Sequence, residues 1–283
     1  MRPWVSILTT TVALTGHAMA AERGDIPFCY VDGLIRVEVR IAGAAEPLWF
    51  LLDSGAAVSV LNSGVAQRLG MHDGQSVVVK GLGGQSRGRW PQTMSASAHG
   101  VPLPARYLVV DLGDLQESCS SRVDGLIGAD FFEGRVVEID FRRNVLRLIS
   151  PAAAASEAET LPSILLKKSR GAWTLEAQID GAAKQHLRLD TGCATGLHWV
   201  TGSVPAAATA RLSVGLAPFA APMAQCELRL GKETWTGVPA TLHAKRIFPG
   251  EDGLLGNEFL SRHDAVILDG CKGRLLLGAV RRD

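Results

Sequence analysis

The chain has 283 residues, of which 47% are hydrophobic, with 29 Lys and Arg against 28 Asp and Glu. A balanced charge without a basic run excludes the electrostatic footprint of a nucleic-acid binder, and Arg142-Arg143 and Arg281-Arg282 are too short to supply one. The apolar share suffices for one large core or two small ones.

The first element is "MRPWVSILTTTVALTGHAMA", with Arg2 at its start, a short apolar stretch and the ending Ala18-Met19-Ala20. This pattern predicts a secretory signal peptide over residues 1–20, cleaved before Ala21. The apolar run is too short to span a bilayer, so the mature chain is expected to be exported, without stable membrane insertion. Removing Arg2 leaves 28 basic and 28 acidic residues. All five cysteines (Cys29, Cys119, Cys193, Cys226 and Cys271) lie beyond the signal. An oxidising compartment predicts one or two disulfides with at least one thiol left over. Pairing Cys29 with Cys119 and Cys226 with Cys271 would keep each half of the chain separate. No C-x-x-C pair occurs and no two histidines are four apart, so neither a metal nor another cofactor is expected.

Next comes "RVEVRIAGAAEPLWFLLDSGA" (36–56), in which apolar residues alternate, turn at Gly-Ala-Ala and return as an apolar strand. That is a β-hairpin delivering Asp53. A carboxylate ending a buried strand is costly unless something there uses or neutralises it. "SGVAQRLGM" follows, where Val65, Ala66 and Leu69 share one helical face and Gly70 suits a stop. "VVVKGLGGQSRGRW" (77–90) reads as a Gly-rich hairpin. Within it Gly84-Gln85-Ser86-Arg87-Gly88 fits the Gly-x-Ser-x-Gly pattern of serine hydrolases, but that pattern needs a helix next, and Pro91 argues against one. "DGLIGADFF" (124–132) precedes "VVEIDFRRNVLRLI" (136–149), a strand, polar turn and strand. "SPAAAASEAETLPS" (150–163) is small and polar with a Pro near each end, and reads as a linker.

After the linker the order repeats. "TLEAQIDGAAKQHLRLDTGC" (174–193) delivers Asp190, "DGLLGNEFL" (252–260) answers "DGLIGADFF", and "AVILDGCKGRLLLG" (265–278) answers 136–149. One Asp-[Ser/Thr]-Gly arises by accident in roughly one chain in five, whereas two such motifs, each followed by Asp-Gly-Leu-[Ile/Leu]-Gly, do not. The prediction is an all-β architecture of two similar lobes with pseudo-twofold symmetry and few short helices: signal 1–20, first lobe 21–149, linker 150–163, second lobe 164–283.

Carboxylates on matching loops of matching lobes can meet across the pseudo-twofold axis, where they share one proton over a wide pH range. The ionised partner can take a proton from water while the other donates to an amide carbonyl. Gly55 and Gly192 let the backbone turn sharply beneath the pair, and the Ser54 and Thr191 hydroxyls can brace the loops against each other.

In these paired motifs the chain resembles the aspartic peptidases, in which Asp-[Ser/Thr]-Gly carries the catalytic aspartate over a hydrophobic-hydrophobic-Gly segment, here Leu126-Ile127-Gly128 and Leu254-Leu255-Gly256. The first lobe resembles the retropepsin-like bacterial group, and two motifs in one chain resemble the bilobal pepsin arrangement. The resemblance implies a monomeric, periplasmic or secreted bacterial endopeptidase acting on peptide or protein substrates through Asp53 and Asp190. It also implies a flap over the cleft, with Gly81, Gly83 and Gly84 at its tip. Two alternatives remain: a catalytically silent peptide-binding protein that kept the cleft, and a homodimer that pairs two first lobes. The second lobe departs from the first in lacking the helix signature after its motif and in carrying Cys193 where the first has Ala56. Without a hydroxyl at those positions, the pair is expected to hold its proton to higher pH than in acid-active relatives. Cys193 itself reads as a small buried hydrophobe rather than a nucleophile.

Overall fold

The computed structural model describes residues 24–81, 84–202, 210–213 and 219–281. The signal segment 1–20 and Gly83 lie outside them. Among the described residues strands dominate, and the four α-helices run from 4 to 10 residues.

The hairpin of each repeat forms as its alternation dictates. Leu34–Ile41 pairs antiparallel with Leu48–Leu52, and Ala172–Ile179 with Gln185–Leu189. The side-chain period of two then decides which residues face the main core. Phe50 and Leu52 enter it from the first lobe, Leu187 and Leu189 from the second. Leu51 and Arg188 point to the opposite face of their strands. There Leu51 joins a separate apolar cluster with Leu34, Val60, Leu108 and Leu126.

Beside each returning strand lies the hydrophobic segment of the second motif. Gly125–Ile127 runs parallel to Leu48–Leu52 and antiparallel to Val60–Asn62. Gly253–Leu255 runs parallel to Gln185–Leu189 and antiparallel to Leu197–Val200. The helix Ser63–Arg68 follows the first loop, capped by the Asn62 side chain accepting from the Gly64 N–H at 3.0 Å, with Val65 and Ala66 buried. In the second lobe the chain passes directly into Leu197–Val200, without a helix.

A six-stranded antiparallel sheet joins the lobes. Its order is Asp25–Val31, Val145–Leu148, Val136–Asp140, Ala265–Asp269, Arg274–Leu277 and Ser163–Ser169. At its centre Glu138 faces Ile267, its own counterpart in the repeat, so the pseudo-twofold axis passes between the two central strands. The first strand of each lobe lies at an outer edge, beside a strand from its own lobe's end.

The connecting segment differs from an irregular linker. Pro151–Thr160 is an α-helix whose N-cap, Ser150, accepts from the Ala153 N–H at 3.1 Å. Ala154 is buried against Val136, Ile267 and Leu276, on the back of the six-stranded sheet. With Ala at four consecutive positions the helix needs no amphipathic stripe to form. The expected disulfides are also absent, since all five cysteines are free. Cys226 is buried with its Sγ 3.4 Å from the Val238 carbonyl, whereas Cys271 is exposed in the turn after Ala265–Asp269. No helix among the described residues is long and apolar enough to cross a membrane.

Because one small buried side chain seats the connector, Ala154→Asp is expected to lift the helix from the sheet by burying an unpaired charge. Limited proteolysis should then cut within 150–162 first in the variant and not in the parent protein. Equal cutting in both would mean that the contact does not hold the helix.

Candidate active site

The loops after the two returning strands are built alike. The Asp53 N–H donates to the Ile127 carbonyl at 2.8 Å, and the Asp190 N–H to the Leu255 carbonyl at 2.9 Å. Below them the Ala129 N–H reaches the Ala56 carbonyl at 2.7 Å, and the Asn257 N–H the Cys193 carbonyl at 2.8 Å. Each hydrophobic-hydrophobic-Gly segment therefore pins the aspartate above it from both ends.

Four buried hydrogen bonds join the loops to each other. The Ser54 N–H donates to Thr191 Oγ1 at 2.9 Å, and that hydroxyl donates to the Leu52 carbonyl at 2.9 Å. Reciprocally, the Thr191 N–H donates to Ser54 Oγ at 3.1 Å, and Ser54 Oγ donates to the Leu189 carbonyl at 2.9 Å. Gly55 and Gly192 are required by contact rather than by backbone angle. A Cβ on Gly55 would lie 2.4 Å from the Asp190 Cγ, and one on Gly192 would lie 2.5 Å from the Asp53 Cγ. No real Cβ tolerates that approach, so each glycine leaves room for the opposite carboxyl.

Asp53 and Asp190 meet, half-buried, and share a hydrogen bond. Their surroundings differ. Asp53 Oδ1 accepts from the Gly55 N–H at 3.0 Å and the Ala56 N–H at 2.9 Å, while Asp190 Oδ1 accepts from the Gly192 N–H alone, at 2.9 Å. Burial raises Asp53 above the ordinary carboxylate value, opposed by the Ala56 N–H, the bond with Asp190, the Gly55 N–H and the Arg188 charge. Asp190 is raised well above that value, by burial first and the Asp53 charge second, against the opposing charge of Arg188.

The pair forms the floor of a cleft of about 510 Å³ between the lobes. The first-lobe wall is apolar, with Val60, Leu108 and Leu126, and the hairpin of Gln75–Gly81 with Gly84–Thr93 contributes Val77, Val79 and Trp90. Gly81 lines the cleft and pairs with Gly84 at the hairpin's end. Ser86 of the Gly-x-Ser-x-Gly match lies within that hairpin's strand, not on a strand-to-helix turn. Cys193 is buried, with its Sγ 3.2 Å from Thr195 Oγ1, and burial pushes its thiol up to about 12.

Three residues at the site were not singled out from the sequence. Arg188 and Glu251 form a buried ion pair beside the carboxyls. Asn257 Nδ2 donates to the Gly33 carbonyl at 2.9 Å and to the Thr191 carbonyl at 2.6 Å, tying the first lobe's hairpin tip to the second loop. A residue-by-residue alignment of the repeats carries a signal for each: Arg188 stands where the first lobe has Leu51, Glu251 where it has Val123, and Asn257 where it has Ala129. His198 and His243, 45 residues apart, also come together, with ring nitrogens 2.8 Å apart. Among the described residues no group of three or more His, Cys, Asp or Glu is placed to hold a metal.

Thr191→Ala removes two of the four loop bonds and leaves buried groups unsatisfied, for an expected loss of about 2 kcal/mol in chemical denaturation. Ser54→Ala should cost a similar amount. The two hydroxyls make separate pairs of bonds, but each pair holds the loop that carries the other hydroxyl, so the double variant should cost less than the two losses added together. Simple additivity would show that the hydroxyls do not act as a unit.

A search of curated proteins gives no match to the chain. Residues 37–131 match the model of a protein family described as aspartyl protease. The matched stretch runs from the strand before Asp53 to the segment beneath it and holds the first lobe's half of the site. It supports an aspartic peptidase family for this chain and, with it, peptide hydrolysis by aspartic catalysis.

Proposed function

We propose that the protein is an exported aspartic endopeptidase in which Asp53 and Asp190 activate one water molecule between them. The observation carrying this reading is the hydrogen-bonded carboxyl pair at the floor of the interlobe cleft. A silent peptide binder would have no use for two half-buried carboxyls held in contact. Asp190 is turned towards Asp53 and, among the described residues, is not locked in a salt bridge of its own. Since one chain supplies both carboxyls, catalysis needs no second copy, and the protein is expected to act as a monomer.

The unequal surroundings support a division of roles. Asp53, with two backbone N–H donors, is the ionised partner, and Asp190, with one, carries the proton. Asp53 takes a proton from the water as its oxygen bonds to the amide carbon, and Asp190 gives its proton to the carbonyl oxygen. On collapse of the tetrahedral diol the C–N bond breaks. Asp53 passes its proton to the leaving amine, and a diol hydroxyl returns one to Asp190. The hairpin carrying Gly81 and Gly84 serves as a flap over an extended peptide. The apolar first-lobe wall accommodates a large apolar side chain next to the scissile bond.

Asp53→Asn and Asp190→Asn should each abolish cleavage of a mixed peptide library while leaving the far-UV circular dichroism unchanged. Retained turnover in the Asp190 variant would overturn the two-lobe mechanism and favour pairing between first lobes.

Activity requires one proton on the pair. It is lost on the alkaline side as Asp190 ionises and on the acid side as Asp53 protonates. Both carboxyls are raised, Asp190 the more, so the rate profile should peak at weakly acidic to neutral pH. Ala56→Thr would supply a hydroxyl donor to the charged form and should move the acid limb to lower pH. A peak at strongly acidic pH, or an acid limb unmoved by Ala56→Thr, would contradict this account.

A further inference from the structure

The second lobe places an ion pair where the first has two apolar side chains. Leu51 and Val123 belong to one apolar cluster in the first lobe. Their counterparts are Arg188, two residues before Asp190, and Glu251, one residue before Asp252. Arg188 Nε and Nη2 donate to Glu251 Oε2 and Oε1, each at 2.7 Å, with side-chain exposures of only 7% and 2%. The guanidinium stacks on the Phe248 ring at 3.7 Å. Its remaining arm crosses the lobe boundary, where Nη1 donates to the Gly55 carbonyl at 2.7 Å.

Stability does not explain this arrangement. Replacing a buried ion pair by apolar residues of similar volume is often neutral or stabilising, and the first lobe folds with the apolar version. What the ion pair adds lies at the catalytic turn. Gly55 donates its N–H to Asp53, and its Cα packs against the Asp190 carboxyl, so a bond fixing the Gly55 carbonyl orients both acids at once. The guanidinium charge favours the ionised form of each.

The other charged groups around the pair are placed differently. Glu251 lies behind Arg188, and Arg170 and Lys80 line the outer cleft from the Ser169-Arg170 turn and the flap hairpin. Asp130, beneath the first loop, is held by the Ser59 N–H and hydroxyl, and Glu258, beneath the second, accepts from the Gly196 N–H. The Cys193 thiol is neutral. Among the described residues, Arg188 is the cation that acts on both carboxyls.

We propose that Arg188, clamped by Glu251, is the positioning residue of the carboxyl pair: it fixes the Gly55 turn from the opposite lobe and holds one negative charge on the pair. The proposal builds on the peptidase reading and supplies the charge stabilisation that Ala56 and Cys193, lacking hydroxyls, do not.

The test is a ¹³C NMR titration of the aspartate carboxyls in the mature chain, with Asp53→Asn and Asp190→Asn as assignment controls, alongside the pH profile of kcat/KM. R188L/E251V installs the first lobe's side chains at both positions. It should raise the lower titration step of the pair by about one pH unit or more, and the acid limb should follow. E251Q leaves the guanidinium uncompensated and should move the same step down. R188K keeps the charge without the fork, so the step should stay near that of the parent while kcat falls about tenfold and KM changes little. An unmoved step in both folded R188L/E251V and E251Q would overturn the proposal. If R188L/E251V fails to fold, an unmoved or raised step in E251Q overturns it alone. Absence of peptide cleavage by the parent protein would instead remove the peptidase reading, and the titration would still decide the role of Arg188.

Discussion

Two carboxyl groups in contact repel unless a proton stays between them, and the rest of this structure is arranged to keep that contact. The cross-linked hydroxyls of Ser54 and Thr191 hold the loops at a fixed separation. Gly55 and Gly192 lack the Cβ atoms that would collide with the opposite carboxyls. The six-stranded sheet prevents the lobes from sliding, because its two central strands, one from each lobe, are bonded along their length. Hairpin tips complete the closure: Gly33 packs on Ala194 of the second loop, and Gly171 on Ala57 of the first. Each lobe thus supplies one wall of its partner's aspartate-bearing turn, and neither could shape the site alone.

The backbone is duplicated more faithfully than the chemistry. Asp124 and Asp252 each accept from the returning strand, from the Trp49 N–H at 2.9 Å and the His186 N–H at 3.0 Å, and each pairs with an arginine. The cleft-facing residues diverge instead. The first lobe presents a continuous apolar surface from Leu51 to Leu126, and the second presents Arg188, Phe248 and Pro249. Such division is what a bilobal chain allows and a symmetric pair of identical lobes does not: two acids of identical sequence context can acquire different surroundings and hence different roles.

The aspartates were legible because duplication turns a weak motif into a strong one, and the hairpins were legible because Gly43 and Gly181 punctuate clean alternations. The helix at Ser63–Arg68 was legible from Val65 and Ala66 on one face with Gly70 behind them. The connector helix was not, since a run of alanines between prolines carries no large apolar side chain to mark its inner face, which is seated by Ala154 with Ala158 and Leu161 beside it. The cysteine pairing failed for a geometric reason: assigning partners by lobe says nothing of distance, and Cys226 is buried while Cys271 sits exposed on a turn. Arg188 was hidden by its own pattern. A charged residue between Leu187 and Leu189 reads as the solvent side of a half-buried strand, and only the pairing with Leu254 and the opposite lobe above it bury that side.

That burial bears on how an acid pair can work at all in an enclosed cleft. Desolvation alone would drive both carboxyls to the neutral form, leaving no base to accept a proton from water. Backbone donors oppose this on the Asp53 side, but Asp190 has a single one. A lone buried cation would overcompensate by favouring two charges and would itself be costly to bury. The Arg188 and Glu251 pair avoids both outcomes, because it has no net charge yet turns its positive end towards the carboxyls. Its field at the pair is that of a short dipole, strong over a few ångströms and weak beyond. A local source of this kind can hold one charge in the cleft without drawing anions into it from solution.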